Sequence, residues 1–179
     1  MTEIANVYGQ ALYDLAKDEN LTEEILGQIT VLDETFRAEP AFLQLLSAPA
    51  ISKEERCKVL DDSLRGQVHP YVLNFLKILT EKGYMRQFGG CCQLFRQQYN
   101  TDHGILPVVA VTKLPLSDAL RRRLIDKLSA VTGKTIDLEC RVDPDCLGGV
   151  RLELDGMQVD GTVRHRLQEI HKLLKNTVL

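Results

Sequence analysis

A Gly-Lys-Thr run, four dispersed histidines, two aspartate pairs and five cysteines are the residues of this chain that could carry chemistry. Gly133-Lys134-Thr135 comes nearest to a phosphate cradle. A P-loop also needs Gly five residues before the second Gly, so that successive backbone N–H groups wrap the phosphates. That position is Leu128, in a helical pattern where a strand is required, and Gly133 reads instead as a helix C-cap. Gly148-Gly149 lacks dinucleotide-binding spacing and leads into a strand pattern, whereas that fingerprint leads into a helix. His165 and His171 fall on different faces of one predicted helix, while shared metal ligands favour i, i+4. His69 adjoins Pro70 at a predicted helix start, and His103 sits in a break. Neither a Gly-x-Ser-x-Gly elbow nor a Cys/His nucleophile pair is present. Asp61-Asp62 lies near a helix end, and Asp143 and Asp145 sit in a turn, where Asp is the expected residue. The expectation is therefore no catalytic residue, no cofactor and no metal.

Cys57, Cys91, Cys92, Cys140 and Cys146 are odd in number and contain no C-x-x-C pair. They read as free thiols of a reducing compartment. Arg121-Arg122-Arg123 is the one basic run, but three consecutive helical residues fan over about 200° and cannot form a single phosphate-tracking stripe. A net charge of −3 argues against a nucleic-acid binder held by bulk electrostatics, and 6% aromatics without Trp against a base-stacking platform. No apolar run approaches the ~18–20 residues that span a bilayer, and Met1-Thr-Glu-Ile-Ala-Asn has neither signal-peptide nor transit-peptide character. A soluble intracellular protein is expected.

Two halves with different patterns must position whatever function there is. From Ile4 to about Asp102 every apolar period is helical. Ile4, Val7, Tyr8, Ala11, Leu12 and Leu15 follow i, i+3, i+4 spacing. Asn20 is placed to cap a second helix, with Glu23 completing a capping box and Ile25, Ile29, Leu32 and Phe36 as its apolar line. Pro40 opens a short helix to Leu46, and Ser52-Lys-Glu-Glu55 is a capping box for a fourth. Pro70 suits the first turn of a fifth, Tyr71 to Lys82, stopped by Gly83. The sixth runs from about Tyr84 to Asn100, weakened in its middle by Gly89-Gly90. Short connections between such helices predict an antiparallel bundle. The first and fifth helices, carrying Tyr8, Ala11, Leu12 and Leu15, and Val72, Phe75, Leu76 and Leu79, are apolar on more than one face. Such a helix either is central or leaves a groove for a partner helix.

The pattern changes at Thr101-Asp-His-Gly104. Ile105 to Thr112 is β-branched, with Pro107 pushing it toward a sheet edge. Leu116, Leu120, Leu124 and Leu128 mark a helix capped by Ser117 and stopped by Gly133, and Ile136, Leu138, Cys140 and Val142 alternate as a strand. Val150 to Leu154 and Met157 to Val159 form a hairpin about Asp155-Gly156, a type I′ turn sequence, and Val163 starts a final helix. The class is α+β: a six-helix antiparallel bundle over 1–104, then a small α/β domain over 105–179. Residues 1–105 hold 10 Lys+Arg against 15 Asp+Glu, and the remainder 12 against 10. An acidic half joined to a mildly basic one suggests two different partners.

Over Ile136–Leu167 the chain resembles the δ subunit of bacterial F-type ATP synthase, the family of the mitochondrial oligomycin-sensitivity-conferring protein. Asp143, Gly149-Val150, Asp155, Val159-Asp160-Gly161, Val163-Arg164 and Arg166-Leu167 stand where the family pattern has an acid, a Gly-hydrophobic step and a D-G-[ST]-V-R-x-R-L tail. Tyr8-x-x-Ala11-Leu12-x-x-Leu15-Ala16 and Asn74-Phe-Leu-Lys-Ile-Leu79 are similar to its first and fifth helices, and the order of elements agrees across the chain. Pro107 and the paired Cys91-Cys92 depart from it.

The resemblance implies a non-catalytic connector that binds no cofactor, peripheral on the cytoplasmic face of the bacterial inner membrane. Its N-terminal bundle would sit on the catalytic head and hold an α-subunit N-terminal helix in a groove between the first and fifth helices. By position, Tyr8, Ala11, Leu12, Leu15, Val72, Phe75, Leu76 and Leu79 are the groove candidates. The C-terminal domain would meet the b subunit of the peripheral stalk, using the region of Gly149, Val150, Asp160, Gly161, Val163, Arg164, Arg166 and Leu167. On that assignment a charge at Leu12 or Leu76 is expected to release the head and uncouple ATP synthesis from proton flow. A free-standing adaptor for another amphipathic helix, or an RNA-associated protein using Arg121–Arg123 and the basic final helix, are the alternatives.

Overall fold

Thr2 Oγ1 accepts the Ala5 N–H at 3.3 Å and so satisfies one of the free donors at the start of α1 (Glu3–Asp18). The computed structural model describes residues 2–146 and 149–154, together with the strand backbone of 157–160. α1 closes on Asn20, which takes a left-handed φ of 58°. The Leu21 N–H then donates to Ala16 O at 2.8 Å and the Asn20 N–H to Lys17 O at 3.1 Å, the reversed bonds of a Schellman end. This corrects the role expected of Asn20. Closing α1 consumes it, and α2 (Thr22–Ala38) begins after Leu21 with no side-chain cap.

The next three helices begin and end on the residues that the sequence marks. α3 (Pro40–Leu46) has its Pro in the first turn. α4 (Lys53–Leu64) carries the full capping box, with Ser52 Oγ accepting the Glu55 N–H and Glu55 accepting the Ser52 N–H, each at 3.2 Å. α5 (Pro70–Lys82) starts where His69 Nδ1 accepts the Tyr71 N–H at 3.3 Å and stops at left-handed Gly83.

The sixth helix departs from expectation. A 3-10 turn at Met85–Gln87 precedes α6 (Phe88–Asp102), so Gly89-Gly90 lies in the first turn and not the middle. Gly90 is there for space, whereas an added carbon on Gly89 would meet the Asp33 side chain of α2 at 3.1 Å. A Cβ on Gly90 would meet the Ala5 Cβ at 2.9 Å, and a Cβ on Gly9 would meet Cys91 O at 2.9 Å and Cys91 Cα at 3.1 Å. α1 and α6 therefore pack with no room for another carbon.

Contacts divide the chain into two compact units, Met1–Tyr99 and Asn100–Leu179. The first has one core, in which Leu12, Ile25, Ile29, Val72, Leu76 and Phe95 are among the buried side chains. The second holds β1 (Ile105–Thr112), α7 (Asp118–Thr132), β2 (Thr135–Val142), β3 (Val150–Leu154) and β4 (Met157–Asp160) in one sheet of order β2-β1-β3-β4. β1 and β2 are parallel, joined through α7, and the other pairings are antiparallel. Helices with a small mixed sheet make the chain α+β.

β1 is central, which corrects the edge position expected from Pro107. Among the described residues β3 pairs with Val108–Thr112, so Pro107 has a single sheet neighbour there, Asp137 of β2. The alternation on β2 also holds only in part. Ile136 and Leu138 are buried with Val108 and Ala110, against Leu124, Ile125 and Leu128 of α7. Cys140 and Val142 lie beyond that cluster and are exposed. Leu154 pairs with Met157, so two residues join β3 to β4 as the hairpin reading requires. Asp155-Gly156 itself, Gly148 and the expected final helix lie outside the described residues.

The close approach of α1 and α6 makes opposite predictions for two glycines. Gly27 of α2 has nothing within 4 Å of an added Cβ, so Gly27→Ala gains about 0.5–1 kcal/mol from helix propensity. Gly9→Ala loses about 1–3 kcal/mol through overpacking against Cys91. Urea unfolding of both variants measures this, and a stabilised Gly9→Ala would contradict it.

Candidate functional site

Several of the described residues that could do chemistry are occupied in holding the fold. Gly133, at φ 67°, ends α7 by donating its N–H to Ser129 O at 2.8 Å, and Gly133-Lys134-Thr135 links that helix to β2. Asp145 donates its N–H to Asp143 Oδ1 at 3.0 Å, a local Asx turn. Asp61 accepts Lys77 Nζ at 2.6 Å and an Arg65 N–H at 2.9 Å, and these bonds, Lys77 first, hold its carboxyl below the usual range. Arg121 Nη2 donates to Leu138 O at 2.9 Å and is committed to the sheet, which breaks the arginine run as a unit. Among the described residues no three His, Cys, Asp or Glu side chains are grouped to hold a metal ion. His165 and His171 lie outside them.

Cys91 and Cys92 acquire an explanation from packing. Both are buried in α6. The Cys91 backbone lies against Gly9, and Cys92 Sγ donates to Ile29 O of α2 at 3.7 Å. Burial pushes the Cys91 thiol up to about 11. Cys92 is raised further by burial and by the Asp33 carboxylate, and half-buried Cys57 is raised by burial and then by Glu81. A small, neutral thiol suits a crowded crossing, and nothing here activates it.

The eight groove candidates separate into two groups. Val72, Phe75, Leu76 and Leu79 of α5 and Leu12 of α1 belong to the core, the most exposed of them at 7%. They cannot line an open groove, and the expectation that a charge at Leu12 or Leu76 would act on a partner is corrected: it would break the core. α5 turns these residues inward because it packs on both α2 and α4, leaving Asn74 and Ile78 facing out. On α1, Tyr8 is half-buried, while Ala11 and Leu15 are exposed.

The burial pattern of α1 shows why the sequence could not separate these groups. Ala5, Gly9, Leu12 and Ala16 face the core at steps of four, three and four. Ile4, Tyr8, Ala11 and Leu15 repeat those steps one residue earlier, which places them about 100° around the same helix. A second apolar stripe thus borders the first, outside the core. Val7, 61% exposed, widens its outer margin, and Leu15 is 39% exposed. Tyr8 packs edge-to-face on Tyr84, just beyond the end of α5, with ring centroids 5.8 Å apart. Ile4 and Val7 are legible as helix-period residues, whereas Ile78, 44% exposed, is not among the α5 candidates.

In the second unit, Gly149 takes a left-handed φ of 88° and Val150 opens β3 opposite Thr112. Asp160 pairs with Arg151 across β3 and β4. Arg151 lies 3.7 Å from Asp143 and 3.5 Å from Glu153, and the Asp143 N–H donates to Thr112 O at 2.9 Å, so the acid ties its loop to the hairpin. Gly161, Val163, Arg164, Arg166 and Leu167 lie outside the described residues. None of the described helices is long and apolar enough to cross a membrane.

Comparison with known proteins gives a consistent picture. A family profile described as ATP synthase delta (OSCP) subunit matches residues 4–174. The chain is 32% identical to ATP synthase subunit delta of Gloeothece citriformis over 173 residues, covering 94% of this chain and 92% of that protein. It is 29% identical to the Clostridium kluyveri protein of the same name, over 93% of this chain and 92% of its relative. In fold it is similar to a chain of the Toxoplasma gondii mitochondrial ATP synthase hexamer, at 19% identity and a TM-score of 0.77, covering 97% of this chain and 98% of that one.

The thiols report directly on the packing described above. At pH 8, iodoacetamide should modify exposed Cys140 in the folded protein, while Cys91 and Cys92 react only on unfolding, since burial both shields them and keeps them protonated. Peptide mass spectrometry checks it. Labelling of Cys91 at the rate of Cys140 would contradict the packing of α6.

Proposed function

The chain belongs to the ATP synthase delta (OSCP) subunit family, and from that membership we propose which surfaces let it act as a clamp. It is a non-catalytic stator subunit of an ATP synthase. Rotation within such an enzyme exerts torque on the catalytic head, and a stator component must resist it for proton flow to drive ATP formation. In our reading, residues 1–104 form an antiparallel six-helix bundle that seats on the head and receives an α-subunit N-terminal helix. Residues 105–179 meet the b subunit of the peripheral stalk through the hairpin region of Gly149, Val150 and Asp160. The subunit then works peripherally, on the cytoplasmic side of a bacterial membrane.

One observation carries the reading: α1 has a second apolar stripe beside its buried face, with Ile4 and Tyr8 half-buried and Ala11 and Leu15 exposed. A helix exposing such a stripe suits helix-in-groove recognition, where i, i+3, i+4, i+7 anchors of the partner lie along it. Ile78 of α5 and the Tyr8–Tyr84 pair add apolar surface to the same unit. Two separate interfaces that persist through many turnovers favour slow dissociation and avidity over one very strong site.

Val7→Glu/Leu15→Glu alters only exposed positions, so the protein keeps its fold, binds the catalytic head about ten- to a hundredfold more weakly and uncouples ATP synthesis. That loss corresponds to about 1.4–2.8 kcal/mol. Leu12→Glu, in the core, abolishes folding itself. Circular dichroism with head-binding titrations separates the two, and undiminished head binding by a folded Val7→Glu/Leu15→Glu protein contradicts the assignment.

A further inference from the structure

The α1 stripe has an acidic margin. Glu3, Asp14 and Asp18 follow the helical line of Val7, at steps of four, seven and four, along the side of the stripe away from the core. All three are exposed. Lys17, the basic residue of the last turn, lies off this line and reaches over the Tyr13 ring at 6.0 Å.

Glu3 suits the N-terminal end of the helix dipole, but the placement of Asp14 and Asp18 works against α1 itself. Asp14 and Asp18 stand at i, i+4, where like charges repel. Asp18 and the C-cap Glu19 lie at the negative end of the helix dipole, where cations are the stabilising choice. Gln10 Nε2 donates to Asp14 Oδ1 at 2.8 Å, which satisfies one oxygen without neutralising the charge. Cations supplied from outside would relieve both costs.

We propose that the helix docking on this stripe carries Lys or Arg along one margin of its apolar face, and that these cations sit against Asp14 and Asp18. This rests on the docking reading above and names the chemistry of the partner. Ile4 to Leu15 spans about 16 Å at 1.5 Å per residue, so the partner contributes about three turns. The same acidic margin turns the stripe away from anionic lipid, because carboxylates face where headgroup phosphates would lie. Complementary charge of this kind speeds encounter and rejects wrongly charged helices more than it adds affinity.

The test uses the full-length protein and two synthetic helical peptides with identical apolar faces, one with Lys and one with Glu along the margin. At low salt the Lys peptide should bind about tenfold more tightly, the ratio narrowing to about twofold near 0.5 M salt as screening shortens the reach of the charges. Asp14→Lys/Asp18→Lys should invert the preference, and Asp14→Asn/Asp18→Asn should level it, with both folds verified by circular dichroism. Equal binding of the two peptides at every salt concentration overturns this inference and leaves the docking stripe standing. Failure of both peptides to bind removes the stripe as a helix site and the inference with it. Retention on phosphatidylglycerol vesicles instead of either peptide would replace both with a membrane contact.

Discussion

The crossing of α1 and α6 at Gly9 and Gly90 governs what the N-terminal unit can present. With backbone and Cβ contacts at 2.9 Å for any added carbon, α1 has one rotational setting that fits. That setting directs Ala5, Gly9, Leu12 and Ala16 inward and holds Ile4, Tyr8, Ala11 and Leu15 outside. Close-packed interiors do not deform continuously, so a rotation that buried the outer stripe would force the glycine face apart. The stripe is exposed because the other face of α1 is fixed. Cys91 belongs to the same constraint, because its backbone is what an added carbon on Gly9 would meet.

A connector under load needs parts that hold their own shape. Each unit has its own apolar cluster, one centred on the helices and one between α7 and the sheet, which is what independent folding asks for. In the second unit Asp143 and Arg151 tie the loop after β2 to the hairpin. Elsewhere the titratable groups that could suggest catalysis cap helices, close turns or join neighbouring helices, as Asp61 joins α4 to α5 through Lys77. Protein–protein function is left to surfaces, and among those the outer side of α1 is distinguished by an apolar stripe bordered by acid.

Local signals carried much of the fold into the sequence. The Ser52 capping box, Pro40, Pro70, Gly83, Ser117 and Gly133 each act through geometry within a few residues, and each stands where its helix begins or ends. The failures came where one residue has two possible local uses or where the partner lies far along the chain. Asn20 can start a helix or end one, and the left-handed closure of α1 took precedence. Gly89-Gly90 lowers helix propensity, but the purpose of Gly90 is visible only with Ala5 beside it. Pro107 cannot reveal that its strand outruns β3. Leu12 and the four α5 candidates were set on the groove for the same reason: apolar periodicity names faces without saying which of two faces meets the core. On α5 Val72, Phe75, Leu76 and Leu79 turned inward, and Ile78 stayed out.

The central claim is that the outer stripe of α1 is covered in the assembled enzyme. Hydroxyl-radical footprinting of the full-length protein, alone and bound to the catalytic head, tests it most directly, because it reads side-chain accessibility residue by residue. Val7, Tyr8 and Leu15 should lose reactivity on binding, while exposed Val131 of α7 keeps its own. Unchanged reactivity at Val7 and Leu15 in a complex shown to be intact would contradict the account.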